Sequence, residues 1–350
     1  MRGQETQLWS PGQSFASEPR KFTFDHCFWS YDGFLQLDDG YCAPDPEHEH
    51  GALYADQERV YKDLGREVVR SAWQGYNAAL LAYGQSGSGK SYSMVGYGAN
   101  TGLVPRLCED LFQELEKKRS IGKHMEFEVE LSMLEIYNES VFDLLVVNKG
   151  PRKGLKVREH PKKGFFAEGL TKCLVTNYRD VLSRIDEGTT NRSIAATNCN
   201  ATSSERQSAA QTSGDRLREG IAINHSLSCL GNCIHALAEK AKGTNLKVPY
   251  RESTLTRLLM TALGGNSKTI MLATISPSDV NYEETLSTLR YAERTKEIKN
   301  LVRVNEDPTD KLIRELRHEN EALKKKLAKG NVDNVLSAGL TEEGKFHFVH

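Results

Sequence analysis

Several things are scarce or missing in this 350-residue chain, and each absence closes off a class of function. Charge of one sign is not in excess: 46 Lys and Arg stand against 47 Asp and Glu, for a formal net charge of −1. No global basic field therefore invites nucleic acid, and an electrostatic partner must be met by a local patch. The seven cysteines (Cys27, Cys42, Cys108, Cys173, Cys199, Cys229, Cys233) are odd in number and contain no CxxC pair. That excludes a disulfide framework and fits reduced thiols in a cytoplasmic protein. No apolar run approaches the ~20 residues of a membrane span, and the opening MRGQETQLWSPGQ lacks the pattern of a secretory signal. The run EHEH (Glu47–His50) lies in an acidic, Pro-bearing loop with no second ligand cluster in the string, so no metal site is expected there.

What is present suits a soluble globular protein: 38% hydrophobic and 27% charged residues. The first twenty residues read as loop and KFTFDHCFW (Lys21–Trp29) as a strand. ADQERVYKDLGREVVRSAWQGY, with Val60, Leu64 and Val68 at helical spacing, reads as an amphipathic helix. NAALLAY (Asn77–Tyr83) is a short apolar run of buried-strand type, and Pro105 sits in the first turn of a further helix. MEFEVELSMLEIY (Met125–Tyr137) alternates apolar and acidic residues, as a half-buried strand does. From Asp215 long helices dominate, interrupted by the apolar strand TIMLATI (Thr269–Ile275), and a basic helix spans Thr309–Lys329.

The strongest local signal is GQSGSGKS (Gly84–Ser91), a full GxxxxGK[ST] between an apolar strand and a helix. Gly84, Gln85, Ser86, Gly87, Ser88 and Gly89 let consecutive backbone N–H groups curl around phosphate oxygens. Lys90 brings a charge to the β- and γ-phosphates, and Ser91 offers a hydroxyl to Mg²⁺. Binding phosphate is not hydrolysing it, which also needs groups that place a metal and a water. The apolar strand in TIMLATISPSD is separated from Asp279 by Ser276–Ser278, and Asp143 reads as a surface or capping residue. Neither supplies that second half.

The motifs YNAALLAYGQSGSGKSYSM, LEIYNESVFDLL, INHSLSCLGNCIHAL, VPYRESTLTRLL and LSTLRYAERTKEIKN together resemble the kinesin motor domain over roughly residues 20–330. GLVPRLCEDLF and PTDKLIRELRHENEALKK resemble its organelle-transporting kinesin-3 group. The resemblance implies an α/β P-loop NTPase fold, a central mostly parallel sheet with helices on both faces and a C-terminal neck helix. It implies ATP and Mg²⁺ as ligands, with Tyr92 near the adenine. Against that pattern NATSSERQS (Asn200–Ser208) looks like two half-motifs joined, a first switch ending at Ser204 and a second resuming at Glu205. Ser203, Ser204 and Glu205 are then switch remnants. The family's switch Arg, its DLAG turn, two sheet strands and an N-terminal RxRP strand have no counterpart.

The implied organisation is an irregular segment at 1–20, a motor-like domain at 21–299 deleted internally near 204/205, a neck linker at 300–308, a neck helix at 309–330 and an unstructured tail at 331–350. Lys240, Lys242, Lys247, Tyr250, Arg251 and Arg257 would face the acidic microtubule, and membrane organelles would be carried through regions outside this sequence. On composition alone that Lys-bearing loop reads as a solvated charged surface. Ile313, Leu316, Asn320, Leu323 and Leu327 fit two heptads, which suits either a weak homodimeric coiled coil or a helix docking on its own motor. Two readings stay open: an ATP-driven motor on the cytoskeleton, or a non-motile nucleotide- and microtubule-binding product. A P-loop metabolic kinase has little room beside these motifs.

Overall fold

The computed structural model describes residues 1, 3–12, 18–120, 127–146, 154–161, 164–199, 214–305, 312, 316, 319–321, 323 and 324; of 193–199 and 214–223 only the backbone is described. Strand β1 (Glu5–Leu8) pairs antiparallel with β2 (Arg20–Thr23), and β3 (Phe34–Gln36) pairs with β4 (Cys42–Pro44). Helix α1 (Gln57–Val60) passes through a π-helical turn, Tyr61–Gly65, into α2 (Arg66–Trp73). Strand β5 (Asn77–Tyr83) leads through the Gly-rich turn into α3 (Lys90–Met94). The small pair β6 (Gly96–Tyr97) and β7 (Asn100–Thr101) precedes α4 (Leu103–Ser120).

Strands β8 (Glu130–Leu131), β9 (Leu134–Tyr137), β10 (Ser140–Asp143), β11 (Val157–His160), β12 (Gly164–Ala167) and β13 (Cys173–Leu174) form three antiparallel pairs, 8 with 13, 9 with 10 and 11 with 12. Then come α5 (Tyr178–Cys199), α6 (Gly214–Ala241), α7 (Thr254–Leu258), β14 (Ser267–Ala273) and α8 (Tyr282–Lys296).

The centre is the parallel pairing of β5 with β14, in register from Asn77 opposite Ser267 to Tyr83 opposite Ala273. Helices α6 and α8 pack against it. Leu230, Ile234 and Leu237 of α6 pack with Leu263 against Leu81 of β5 and Tyr291 of α8. A second cluster joins Phe112 and Leu115 of α4 to Val181 and Ile185 of α5, with Trp73 of α2 beside it. A third sets Leu286 and Leu289 of α8 on Phe22 of β2 and Leu8 of β1. Residues 127–133 alternate half-buried and exposed as the sequence predicts, but the ladder breaks after Leu131 and resumes at Leu134.

Two expectations need correction. Residues 1–20 are not irregular throughout: ETQL becomes β1 because Thr6 and Leu8 turn inward, onto Cys27 and the α8 cluster, while the backbone pairs with β2. The apolar run of β5 is also not fully buried; apart from the exposed Asn77 its residues are half-buried, as are all residues of β14 after Ser267. The reason is that the pair has no further strand on either side among the described residues. Parallel strands are normally covered on both faces and flanked in a wider sheet. Here a trough of about 1340 Å³ runs along β14, walled by Leu8, Trp9 and Phe24–Tyr31 and reaching Gly87–Gly89.

Ile234 is 2% exposed where α6 meets this pair. Ile234→Ala is expected to lower stability by about 2–4 kcal/mol, the cost of an uncollapsed core cavity, read as a drop in the urea midpoint at unchanged slope.

Candidate functional site

The Gly-rich loop closes on the end of β14 through side chains that the local motif does not contain. A Cβ on Gly84, at φ +155°, would lie 2.1 Å from the Thr274 carbonyl oxygen and 2.5 Å from Thr274 Oγ1, so glycine is the residue that fits. Ser88 Oγ donates to Gln85 O at 2.7 Å and pairs with Thr274 Oγ1 at 2.8 Å, while the Thr274 amide donates to Tyr83 O. Gly89 adopts φ +100° and starts α3, with Ser93 N–H returning to Gly89 O. Lys90 Nζ donates to Gly84 O and Gln85 O, both at 2.7 Å. Its ammonium therefore sits over the concave side of the loop, and Gln85 Oε1 is buried with no hydrogen-bond partner among the described residues.

A glycine cradle and a lysine held on the loop's own carbonyls together fit a phosphate ligand. Ser91 is exposed in the first turn of α3, where a hydroxyl can face a cation. Tyr92 is half-buried, with its ring 6.2 Å from that of Tyr97, and burial pushes its phenol up from its ordinary value. The buried amide of Gln57 donates to Tyr92 O at 2.7 Å and locks α1 to α3.

The second constellation joins α6 to α7. Asn138 and Glu139 both take positive φ, a tight turn that aims the Glu139 carboxylate away from its own strand pair. That carboxylate accepts Ser226 Oγ at 2.5 Å and Thr254 N at 2.6 Å, and the Glu139 carbonyl accepts Thr254 Oγ1 at 2.8 Å. Partial burial pushes the carboxyl up, and the hydrogen bonds from Ser226 and Thr254 more than offset this, holding it below the usual range. Ser253 caps α7 in a reciprocal box with Thr256, a device worth roughly 1 kcal/mol.

Of the sequence-predicted surface residues, Lys240, Lys242, Lys247 and Arg251 are exposed and Arg257 is half-buried. Lys242 is engaged with Glu297 at 2.9 Å and Glu239 at 3.2 Å, Arg251 with Glu159 at 2.7 Å, and Arg257 donates to Arg251 O. Tyr250 belongs elsewhere: its hydroxyl donates to Leu263 O and its ring packs in the α6 cluster, a core role. Ser203, Ser204 and Glu205, with the whole stretch Asn200–Ser208, lie outside the described residues. Leu316, Asn320 and Leu323 are exposed, while Ile313 and Leu327 lie outside the described residues. Asp143 is half-buried at the end of β10 and accepts Leu145 N and Thr171 N, while Asp279 is exposed.

Sequence reasoning missed Thr274, Gln57 and the Ser226–Glu139–Thr254 bridge. The local string held no signal for the first two, which depend on the register of β14 against β5 and on the packing of α1.

The profile of the kinesin motor domain matches residues 5–205 and, as a second segment, 201–298. The chain belongs to the kinesin motor domain family. Kinesin-like protein KIF28 of Mus musculus is 46% identical over 339 residues, covering 87% of this chain and 32% of that protein. Kinesin-like protein KIF13B of Homo sapiens is 44% identical over 351 residues, covering 89% and 18%. The chain thus spans a third or less of the length of these relatives, whose company marks it as kinesin-3-like. Among solved structures, the KIF14 dimer with AMP-PNP in complex with a microtubule superposes with a TM-score of 0.77 at 39% identity, over 90% of this chain and 92% of that one. The 339 positions aligned with mouse KIF28 exceed the 87% of 350 residues they cover, about 305, so about 35 positions of the relative have no counterpart here.

Two outcomes are expected of this kinesin head. Gly84→Ala should weaken binding of a fluorescent ATP analogue at least about tenfold, since a backbone atom of Thr274 blocks the added carbon. Glu139→Gln should destabilise the head at neutral pH. A carboxyl depressed on folding contributes stability above its ordinary value of 4.5, and that contribution is lost as pH falls through the lower folded value. Melts of the two proteins should therefore differ at pH 7 and converge as the pH drops below 4.5.

Proposed function

We propose that this chain is the head of a microtubule motor of kinesin-3 type, binding ATP with Mg²⁺ at Gly84–Ser91 and the track through the segment from Lys240 to Leu259. The observation that carries the reading is the Gly84–Thr274 closure with Lys90 Nζ poised over the loop. The chain's own residues account for the first steps. Backbone N–H groups of Gly87–Lys90 take phosphate oxygens, and Lys90 exchanges two carbonyls for a phosphate, trading neutral for charge-assisted bonds. Tyr92 and Tyr97 offer aromatic surface beside the base. Mg²⁺, held by Ser91, neutralises phosphate charge when bound. Ser203, Ser204 and Glu205 are assigned as switch remnants. Membrane organelles, vesicles or mitochondria, are the proposed cargo, carried through regions outside this chain, with weak dimerisation through 309–330.

The track contact is read from the lysines and from the Glu139 bridge. Because Glu139 ties Ser226 of α6 to the first turn of α7, a shift of α6 is passed to Thr254–Leu258 as a rigid movement. Lys240 and Lys247 are exposed and suit an acidic surface.

A second reading, a non-motile nucleotide- and microtubule-binding product, is favoured by one observation. About 35 positions of a relative are absent from this chain, and the family profile matches in two segments that meet at 201–205. That is where the sequence places Glu205 in the position of the family's switch Arg. Phosphate release by the purified chain, with and without microtubules, separates the two. Microtubule-stimulated turnover that Lys90→Ala abolishes supports the motor. Nucleotide-sensitive co-sedimentation without turnover supports the non-motile product, and absence of both overturns both.

A further inference from the structure

The loop that holds EHEH is folded so that Asp32, sixteen residues upstream of His48, turns toward both histidines. A ligand atom of each of Asp32, His48 and His50 lies within 4.8 Å of the others. We propose that these three side chains form a binding site for a divalent first-row metal of zinc type, outside the nucleotide site.

The donor set is the first support. Two imidazoles and a carboxylate are ligands of zinc chemistry, with a fourth position left for water. Around a tetrahedral zinc, bonds of about 2.0–2.1 Å place ligand atoms roughly 3.3 Å apart. His50 Nδ1 and Asp32 Oδ1 already stand 2.9 Å apart. His48 is exposed and closes the remaining distance by rotating its ring. It gives up one weak bond in doing so, that from His50 N–H to Nδ1 at 3.1 Å.

The second support is the rigidity of the frame. Gly33, at φ +86°, lies so close to the His50 carbonyl that a Cβ there would meet it at 2.7 Å. Asp45 N–H donates to Gly33 O, Gly51 N–H to His48 O, and Leu53 and Tyr54 N–H to His50 O. The backbone carrying all three ligands is thus tied across the loop before any metal arrives, which lowers the ordering cost of binding.

The third support lies around the ligands. Trp29 Nε1 donates to Asp32 Oδ1 at 2.7 Å, and the Trp29 ring meets the His50 ring edge-on at 5.7 Å. Outer hydrogen bonds of this kind hold a metal-binding carboxylate in orientation. Glu47 and Glu49 add negative charge at the rim, with Glu49 Oε1 3.9 Å from His50 Nε2.

The loop leads straight to Asp56, which caps α1, and to Gln57, which holds Tyr92. A bound metal would therefore brace the segment that supports the nucleotide site. The test is a titration of the full chain with Co²⁺, followed by competition with Zn²⁺. One equivalent of Co²⁺ with visible absorption of low-symmetry, four-coordinate type and no thiolate charge-transfer band is expected. Affinity should fall at least about tenfold in His48→Ala and in Asp32→Asn, as loss of a ligand requires. Without added metal, His48→Ala should keep the circular dichroism and nucleotide binding of the parent chain, since its side chain is exposed. Identical titrations in parent and variants, a thiolate band marking cysteine ligation, or no binding at micromolar metal would each overturn the proposal.

Discussion

Everything functional in this head depends on one pairing, β14 laid parallel to β5 in a single register. That register sets Tyr83 opposite Ala273 and so delivers Thr274 to the mouth of the Gly-rich loop, where its backbone and hydroxyl define the space around Gly84 and Ser88. The same alignment stacks Tyr83 on Tyr291 of α8, centroids 4.0 Å apart, and connects the loop to the helix that covers the sheet. A one-residue slip would turn every side chain of β14 to the opposite face. The loop would keep its sequence and lose its wall.

The pairing also explains why so much of the sheet is half-buried. Among the described residues the two strands present one shared ladder and two open edges, and open edges are a standing invitation to other strands. Helices supply the packing instead: α6 with α8 on β5, α8 on the N-terminal strand pair, and α4 with α5 in a cluster of their own.

What could be read in the string follows from this division. The Gly-rich loop was legible because its chemistry is packed into eight consecutive residues, and the family followed from several such local blocks. The alternation of residues 127–133 was legible for the same reason. Thr274 and Gln57 were not, because their roles arise from neighbours 186 and 35 residues away and neither sits in a distinctive pattern. Tyr250 looked like a surface residue because it stands among Pro, Arg and Glu; its ring instead fills space under α6. ETQL passed for loop because three of its four residues are polar, and Thr6 is buried on Cys27. EHEH looked solitary because its third partner, Asp32, comes from the other side of a hairpin.

Asn300 carries a mechanical consequence. Its amide nitrogen reaches Ala262 O, Ser267 O and Thr269 Oγ1, and its oxygen takes Gly264 N–H; beyond it Leu301 N–H holds Gly265 O and Arg303 N–H holds Asn266 Oδ1. Tension on the chain past Arg303 meets these bonds one after another, from Arg303 inward, as in opening a zip. Asn300 is the last clasp, and it grips the start of β14, the end opposite Thr274. Pull that reaches Asn300 is thus applied along the very strand whose far end shapes the nucleotide loop.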